Sequence, residues 1–221
     1  MRHGRGFRAT GSHAGDSLGG VGAQGAGPLF LVVDDEPLMQ RALGAFLHHY
    51  GTCRTALSAD EAEQALATGT RWDGFVIDVR LGDGSGLDVL AAARRTHAKT
   101  PAVVLTASIE RELVNRAAEL DARYVCKPFG RSELAPFLSD VLRRASDDRL
   151  YAAAEFARNR WSLSPRQVEI VDATLRRCTR DEYVESTGMS LNTYKTHVRK
   201  LLDKTDYESL QSLALDLLRL A

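Results

Sequence analysis

Cysteine is scarce in this chain of 221 residues, and it carries no excess of either charge. Cys53, Cys126 and Cys178 are odd in number, far apart and form no CxxC pair. That argues against a disulfide framework or a structural zinc site and fits a reducing, cytoplasmic compartment. Lysine plus arginine number 29, as do aspartate plus glutamate, so the formal net charge is zero. Whole-chain electrostatics therefore make no case for nucleic acid, and any such case rests on local pattern. No apolar run approaches the ~18 residues of a membrane span, so no membrane placement is expected. Hydrophobic residues at 44% and charged residues at 26% are ordinary globular proportions, neither disordered nor collagen-like.

Glycine is unevenly spread. Nine of the 18 glycines fall in residues 1–27, which offer almost nothing apolar to bury. This segment is expected to be a disordered, dispensable tail. It lacks the apolar core of a secretory signal, and its glycines would break a targeting helix.

From Pro28 the pattern changes. PLFLVV (28–33) is a continuous apolar run, as for a strand buried on both faces. Leu38, Ala42, Leu43, Phe46, Leu47 and Tyr50 then recur at helical spacing, and Ser58 opens a second helix. Strands are expected at 52–56, 74–78, 101–106 and 122–126, and helices near 86–97, 109–120 and 131–144. This alternation predicts an α/β domain over 28–145: a doubly wound, five-stranded parallel sheet covered on both sides. Residues 146–160, polar and alanine-rich without proline or glycine, read as a helical linker. Residues 161–221 look all-α, with capping-box patterns at Ser164–Gln167 and Thr179–Glu182.

In an open parallel sheet the site lies beyond the carboxyl ends of the strands. Four polar signals stand at those ends. Asp34 and Asp35 follow the first strand, Asp78 ends the third, Thr106 ends the fourth, and Lys127 follows the fifth. Three carboxylates in one cleft repel, by about 4 kcal/mol per pair at 4 Å and an effective dielectric of 20. Lys127 offsets part of this, and a hard divalent cation held by carboxylates and water, Mg²⁺ by the usual choice, would offset the rest. Such a site suits phosphoryl transfer to a carboxylate, giving an acyl phosphate. Gly82-Asp-Gly84-Ser-Gly86 fails as a dinucleotide loop because Leu87 occupies the third glycine's position, so it reads as a turn. A haloacid-type phosphatase would want an aspartate at position 80, where the chain has Arg80.

The motifs VVDDE (32–36), FVIDVRLGDGSG (75–86), VVLTAS (103–108) and YVCKPF (124–129) together resemble the receiver domain of two-component response regulators. That resemblance covers about 28–145 and implies a flavodoxin-like fold. It implies Asp78 as phospho-acceptor, with Thr106 and Lys127 as its catalytic partners. Asp35 would be a direct Mg²⁺ ligand and Asp34 an outer-sphere one, completed by Asp78 and the Arg80 carbonyl. Thr106 and Tyr124 would form a switch pair, Lys127 the phosphate's cation, and the Lys127–Pro128 bond would be cis. Gly82 departs from the proline usual in this family, which implies a looser loop after Asp78.

In LNTYKTHVRKLLDK (191–204), Tyr194, Val198, Leu201 and Leu202 form one apolar helical face. Asn192, Lys195, Thr196 and Arg199 lie opposite, flanked by His197, Lys200 and Lys204. A preceding helix, a tight turn at Gly188 and a capped basic helix make a helix-turn-helix able to enter a major groove. Residues 161–218 resemble the LuxR/FixJ-type output domain of response regulators. Two departures stand out: Asp181-Glu182-Tyr183-Val184, where the family usually has a small residue and an aliphatic, and Tyr194, which replaces a small aliphatic. Leucines at 210, 213, 217 and 220 could serve as core or as a dimer seam.

The sequence thus reads as a response regulator rather than an enzyme. Its expected partners are a histidine kinase or phosphotransfer protein, double-stranded DNA and a second copy on activation. Two alternatives stay open: a regulator that binds DNA without phosphorylation, and an adaptor or phosphate sink whose degenerate helix-turn-helix binds protein.

Overall fold

A computed structural model describes residues 27–220; residues 1–26 of the glycine-rich segment lie outside them. The first half alternates strand and helix: β1 (Leu29–Val33), α1 (Pro37–Leu47), β2 (Thr52–Ala56), α2 (Ala59–Ala67) and β3 (Gly74–Asp78). A two-residue hairpin, β4 (Arg80–Leu81) and β5 (Gly84–Ser85), follows, then α3 (Gly86–Arg94), β6 (Ala102–Thr106), α4 (Arg111–Glu119) and β7 (Arg123–Cys126). The main sheet is parallel throughout, in the order β2-β1-β3-β6-β7. Both faces are covered. Along β1, Phe30 and Val32 enter the core beneath α1, while Leu31 and Val33 enter the core on the other face. A continuous apolar run is what such a strand needs, since successive side chains serve opposite cores.

The helices end as their sequences suggest in some places and not in others. Ser58 caps α2 by accepting from the Glu61 N–H. Leu38, expected on the buried face of its helix, is 77% exposed. It sits in the first turn of α1, before that helix reaches the sheet.

The largest difference from expectation lies beyond residue 130. The helix expected to stop at 144 and the linker expected at 146–160 form one helix, α5 (Arg131–Trp161). Leu134, Phe137, Leu138 and Val141 pack into the sheet domain. Leu150, Ala153, Ala154 and Ala157 pack into a separate, all-helical core. The two apolar sets are about four and a half turns apart, which puts them on roughly opposite faces of the helix.

The helical core is completed by α6 (Pro165–Leu175), α7 (Arg180–Thr187), α8 (Leu191–Thr205) and α9 (Leu210–Leu220). Ile170, Val171, Leu201, Leu213 and Leu217 fill its centre. Burying each such leucine or isoleucine contributes about 2 kcal/mol, so apolar packing rather than surface pairing holds α5 to this bundle. Both expected capping boxes form, Ser164 with Gln167 and Thr179 with Glu182. Among the described residues, no helix is long and apolar enough to cross a membrane.

Candidate functional site

Strand register brings the strand-end polar residues together. Val33 lies opposite Ile77, so Asp34 emerges beside Asp78. Asp78 lies opposite Leu105, and Thr106 opposite Cys126, which delivers Thr106 and then Lys127 to the same edge. The Lys127 ammonium donates to Asp34 Oδ2 at 3.0 Å and to Asp78 Oδ2 at 2.5 Å. Asp34, Asp35 and Asp78 each offer a carboxylate oxygen within 4.8 Å of the others. Asp34 and Asp78 are buried and Asp35 is exposed, so the cluster opens to solvent on one side.

The charges are strained in the expected sense. Burial raises the Asp34 carboxyl above its usual value, outweighing the Glu36 N–H and Lys127 that favour the anion. Burial also opposes the Lys127 ammonium, but hydrogen bonds to Asp78 and Asp34 overcome it and raise that group's pKa. One ammonium shared by two of three clustered carboxylates leaves net negative charge. The donor set is all hard oxygen, which fits a small divalent cation such as Mg²⁺ and not a soft metal.

The loop after Asp78 is fixed locally. A Cβ on Gly86 would run into the Asp78 carbonyl oxygen, so only glycine lets α3 start this close to β3. The Gly86 N–H donates to the Val79 carbonyl at 3.0 Å. The looseness expected from Gly82 is countered by its neighbour. The Asp83 carboxylate accepts from the Ala59 N–H at 2.9 Å and the Asp60 N–H at 3.2 Å, pinning the hairpin to the start of α2. Arg80 places its backbone N–H 3.2 Å from Asp78 Oδ1 while its guanidinium pairs with Glu110 at 2.7 Å.

Thr106 is buried and its hydroxyl donates to the Ser108 carbonyl at 3.1 Å. The half-buried Tyr124 donates its hydroxyl to the same carbonyl at 2.7 Å. The Lys127–Pro128 peptide bond is cis. Sequence reasoning passed over Gln40, which is buried in α1 and donates to the carbonyls of Asp34 and Ala56 at 3.0 and 2.6 Å. It fixes the turn carrying the carboxylates, and its signal was a lone amide on an otherwise apolar helix face. Asp83, Ser108 and Glu110 were also passed over, because each acts across loops that linear spacing does not relate.

In the second half, Gly188 takes φ +64° and ends α7, and Ser190 accepts from the Thr193 N–H to start α8. Asn192, Lys195, Thr196, Arg199 and Lys200 are exposed on α8, whereas His197 is partly buried. The Thr196 hydroxyl is spent on the Asn192 carbonyl at 2.9 Å. Lys204 is exposed but donates to the Ser162 carbonyl at 2.9 Å, which occupies it away from the basic face. Tyr183 and Tyr194, on α7 and α8, pack against each other with ring centroids 5.7 Å apart. Two of the acidic residues of α7 are occupied locally: Glu182 caps Thr179, and Asp181 pairs with Arg180 at 2.8 Å.

Residues 30–138 match the response regulator receiver domain, and this part of the chain is such a domain. The chain is 36% identical over 124 residues to the probable transcriptional regulatory protein TcrX of Mycobacterium tuberculosis, covering 55% of this chain and 53% of that protein. It is 33% identical over 138 residues to the transcriptional regulatory protein TcrA of the same species, covering 61% and 54%. The chain spans about half the length of the curated relatives it matches. A receiver domain protein (CheY-like) from Methanospirillum hungatei superposes with a TM-score of 0.51 at 18% identity, covering 56% of this chain and 99% of that one. At that identity the likeness concerns the fold.

Proposed function

We propose that this protein is a response regulator that takes a phosphoryl group on Asp78 and controls transcription through α8. The observation that carries the first part is the carboxylate cluster at the sheet edge, with the Lys127 ammonium between Asp34 and Asp78. A kinase or phosphotransfer protein presents phosphohistidine. An Asp78 carboxylate oxygen attacks phosphorus, the P–N bond breaks, and the imidazole leaves with its electron pair and takes a proton. Lys127 holds one phosphoryl oxygen, and the Thr106 hydroxyl leaves the Ser108 carbonyl to donate to another. Asp34, Asp35, Asp78 and the Arg80 carbonyl would hold Mg²⁺, which when bound neutralises phosphoryl charge. The protein is then a phosphoryl acceptor rather than a turnover enzyme, acting in the cytoplasm. Incubation with acetyl phosphate and Mg²⁺ tests this: the wild type should be labelled and Asp78→Asn should not. Equal labelling of the two removes Asp78 from the reaction.

The second part rests on the exposed residues of α8, Asn192, Lys195, Arg199 and Lys200, with Thr196 and His197 beside them. The relatives' names as transcriptional regulatory proteins support double-stranded DNA as the partner. Phosphorylation would favour a homodimer on paired half-sites. A second reading, DNA binding without phosphorylation, is favoured by the exposure of Asn192, Lys195, Arg199 and Lys200 on α8. Selection from random duplexes, with and without phosphorylation, separates the two. Failure to enrich any motif in either state supports a receiver adaptor instead.

A further inference from the structure

The loop between β6 and α4 is tied to the loop after Asp78 by a polar chain outside the phosphoryl-binding groups. The Arg80 guanidinium turns away from the carboxylate cluster and reaches Glu110, Nη2 to Oε1 2.7 Å, lying 3.4 Å from the Ser108 hydroxyl. Ser108 Oγ donates to the same Glu110 oxygen at 2.7 Å. The Ser108 carbonyl in turn accepts both hydroxyls of the switch pair, Thr106 at 3.1 Å and Tyr124 at 2.7 Å. Ser108 therefore joins the Arg80–Glu110 pair to Thr106, the side chain that must turn toward the phosphoryl group.

We infer that Glu110 rivals the phosphoryl group for Arg80. While the pair is closed, the β6–α4 loop keeps the Thr106 hydroxyl turned toward the Ser108 carbonyl. A phosphoryl group on Asp78 draws the guanidinium away and releases the loop. The inference rests on Asp78 being the acceptor.

The Arg80 backbone already touches Asp78, so only its side chain has to swing. A phosphoryl group brings about two negative charges against the carboxylate's one. Both side chains of the pair are exposed, and an exposed pair is weak enough for one new anion to break. The shift it can impose is limited to the difference in contacts between the two states. Glu110 is thus a positioning residue: it sets how readily the site accepts a phosphoryl group without touching it.

Beryllofluoride, which mimics the phosphoryl group, tests this by calorimetric titration of the full chain with Mg²⁺ present. Glu110→Gln should bind it about threefold more tightly than wild type, as expected for removing an exposed competitor. Arg80→Gln should bind more weakly, and in that background Glu110→Gln should have no effect. Unchanged affinity in Glu110→Gln, or the same tightening without Arg80, overturns the rivalry. Loss of binding in Asp78→Asn with no effect at Glu110 leaves the acceptor intact and overturns only the rivalry. No binding by the wild type, or equal binding by Asp78→Asn, overturns both.

Discussion

Asp147 and Asp148 stand side by side on α5 and hold opposite halves of the chain. Asp147 accepts from Arg176 of α6 at 2.8 Å, while Asp148 pairs with Arg71 in the loop before β3. Exposed pairs of this kind contribute about 0.2–1 kcal/mol each, far less than the apolar residues on either side of them. The unbroken helix between the two cores is therefore the stronger connection. Ser146 is exposed at its middle. Ser146→Pro should cost about 3 kcal/mol through the lost hydrogen bond and the ring clash. Scanning calorimetry should then show two separate transitions where the wild type shows one. A single transition in the variant would show that the helix does not couple the halves.

Asp83 is expected to make the loop after Asp78 dependent on pH. Its carboxyl is held below the usual range, first by the Ala59 N–H. A depressed carboxyl stabilises the fold above its unfolded pKa, and that stabilisation is lost as pH falls through the folded value. Asp83→Ala should lower the melting temperature at pH 7 by about 3 °C, as for loss of a helix cap, and the gap should narrow as pH falls below the ordinary aspartate value of 3.8. A gap that persists in acid would assign the effect to something other than the charged cap.

Much of the sheet domain was legible because each strand is an apolar run closed by a polar residue. Asp34, Asp78, Thr106 and Lys127 could be placed on one edge from that pattern alone, since parallel strands all end on the same side. What failed to show was coupling across space. Arg143 to Arg149 contain no large apolar residue, so α5 read as a helix followed by a linker. The sequence cannot display that its buried face changes sides along its length. Tyr183 and Tyr194 looked like two separate departures from the family pattern. They form one contact, each filling the space the other needs, and burial raises both phenols.

Burial pushes the Cys53 thiol up to about 11. An acid whose pKa is raised on folding stabilises the fold below its unfolded value, here 9.0, and that contribution is lost as pH rises through about 11. The thiolate is the reactive form. At pH 8, alkylation of Cys53 by iodoacetamide should therefore run about 100-fold slower in the folded protein than in denaturant. Peptide-mapped mass spectrometry reads this directly. Comparable rates in the two states would mean that β2 opens on the timescale of the reaction.

Lys195 and Arg199 are four residues apart on α8, one helical turn, and both point to solvent. The chain's net charge is zero, so any attraction to DNA must come from such a local face rather than from the whole molecule. Each phosphate contact releases condensed counterions, which makes affinity fall with salt in proportion to the number of contacts. Lys195→Ala and Arg199→Ala should each reduce the slope of log affinity against log salt by about one. A residue that also reads a base edge would in addition relax specificity at one position, by about 1–3 kcal/mol of discrimination. Fluorescence anisotropy with a selected duplex at several salt concentrations separates the two roles. Slopes unchanged in both variants would remove α8 from the DNA interface.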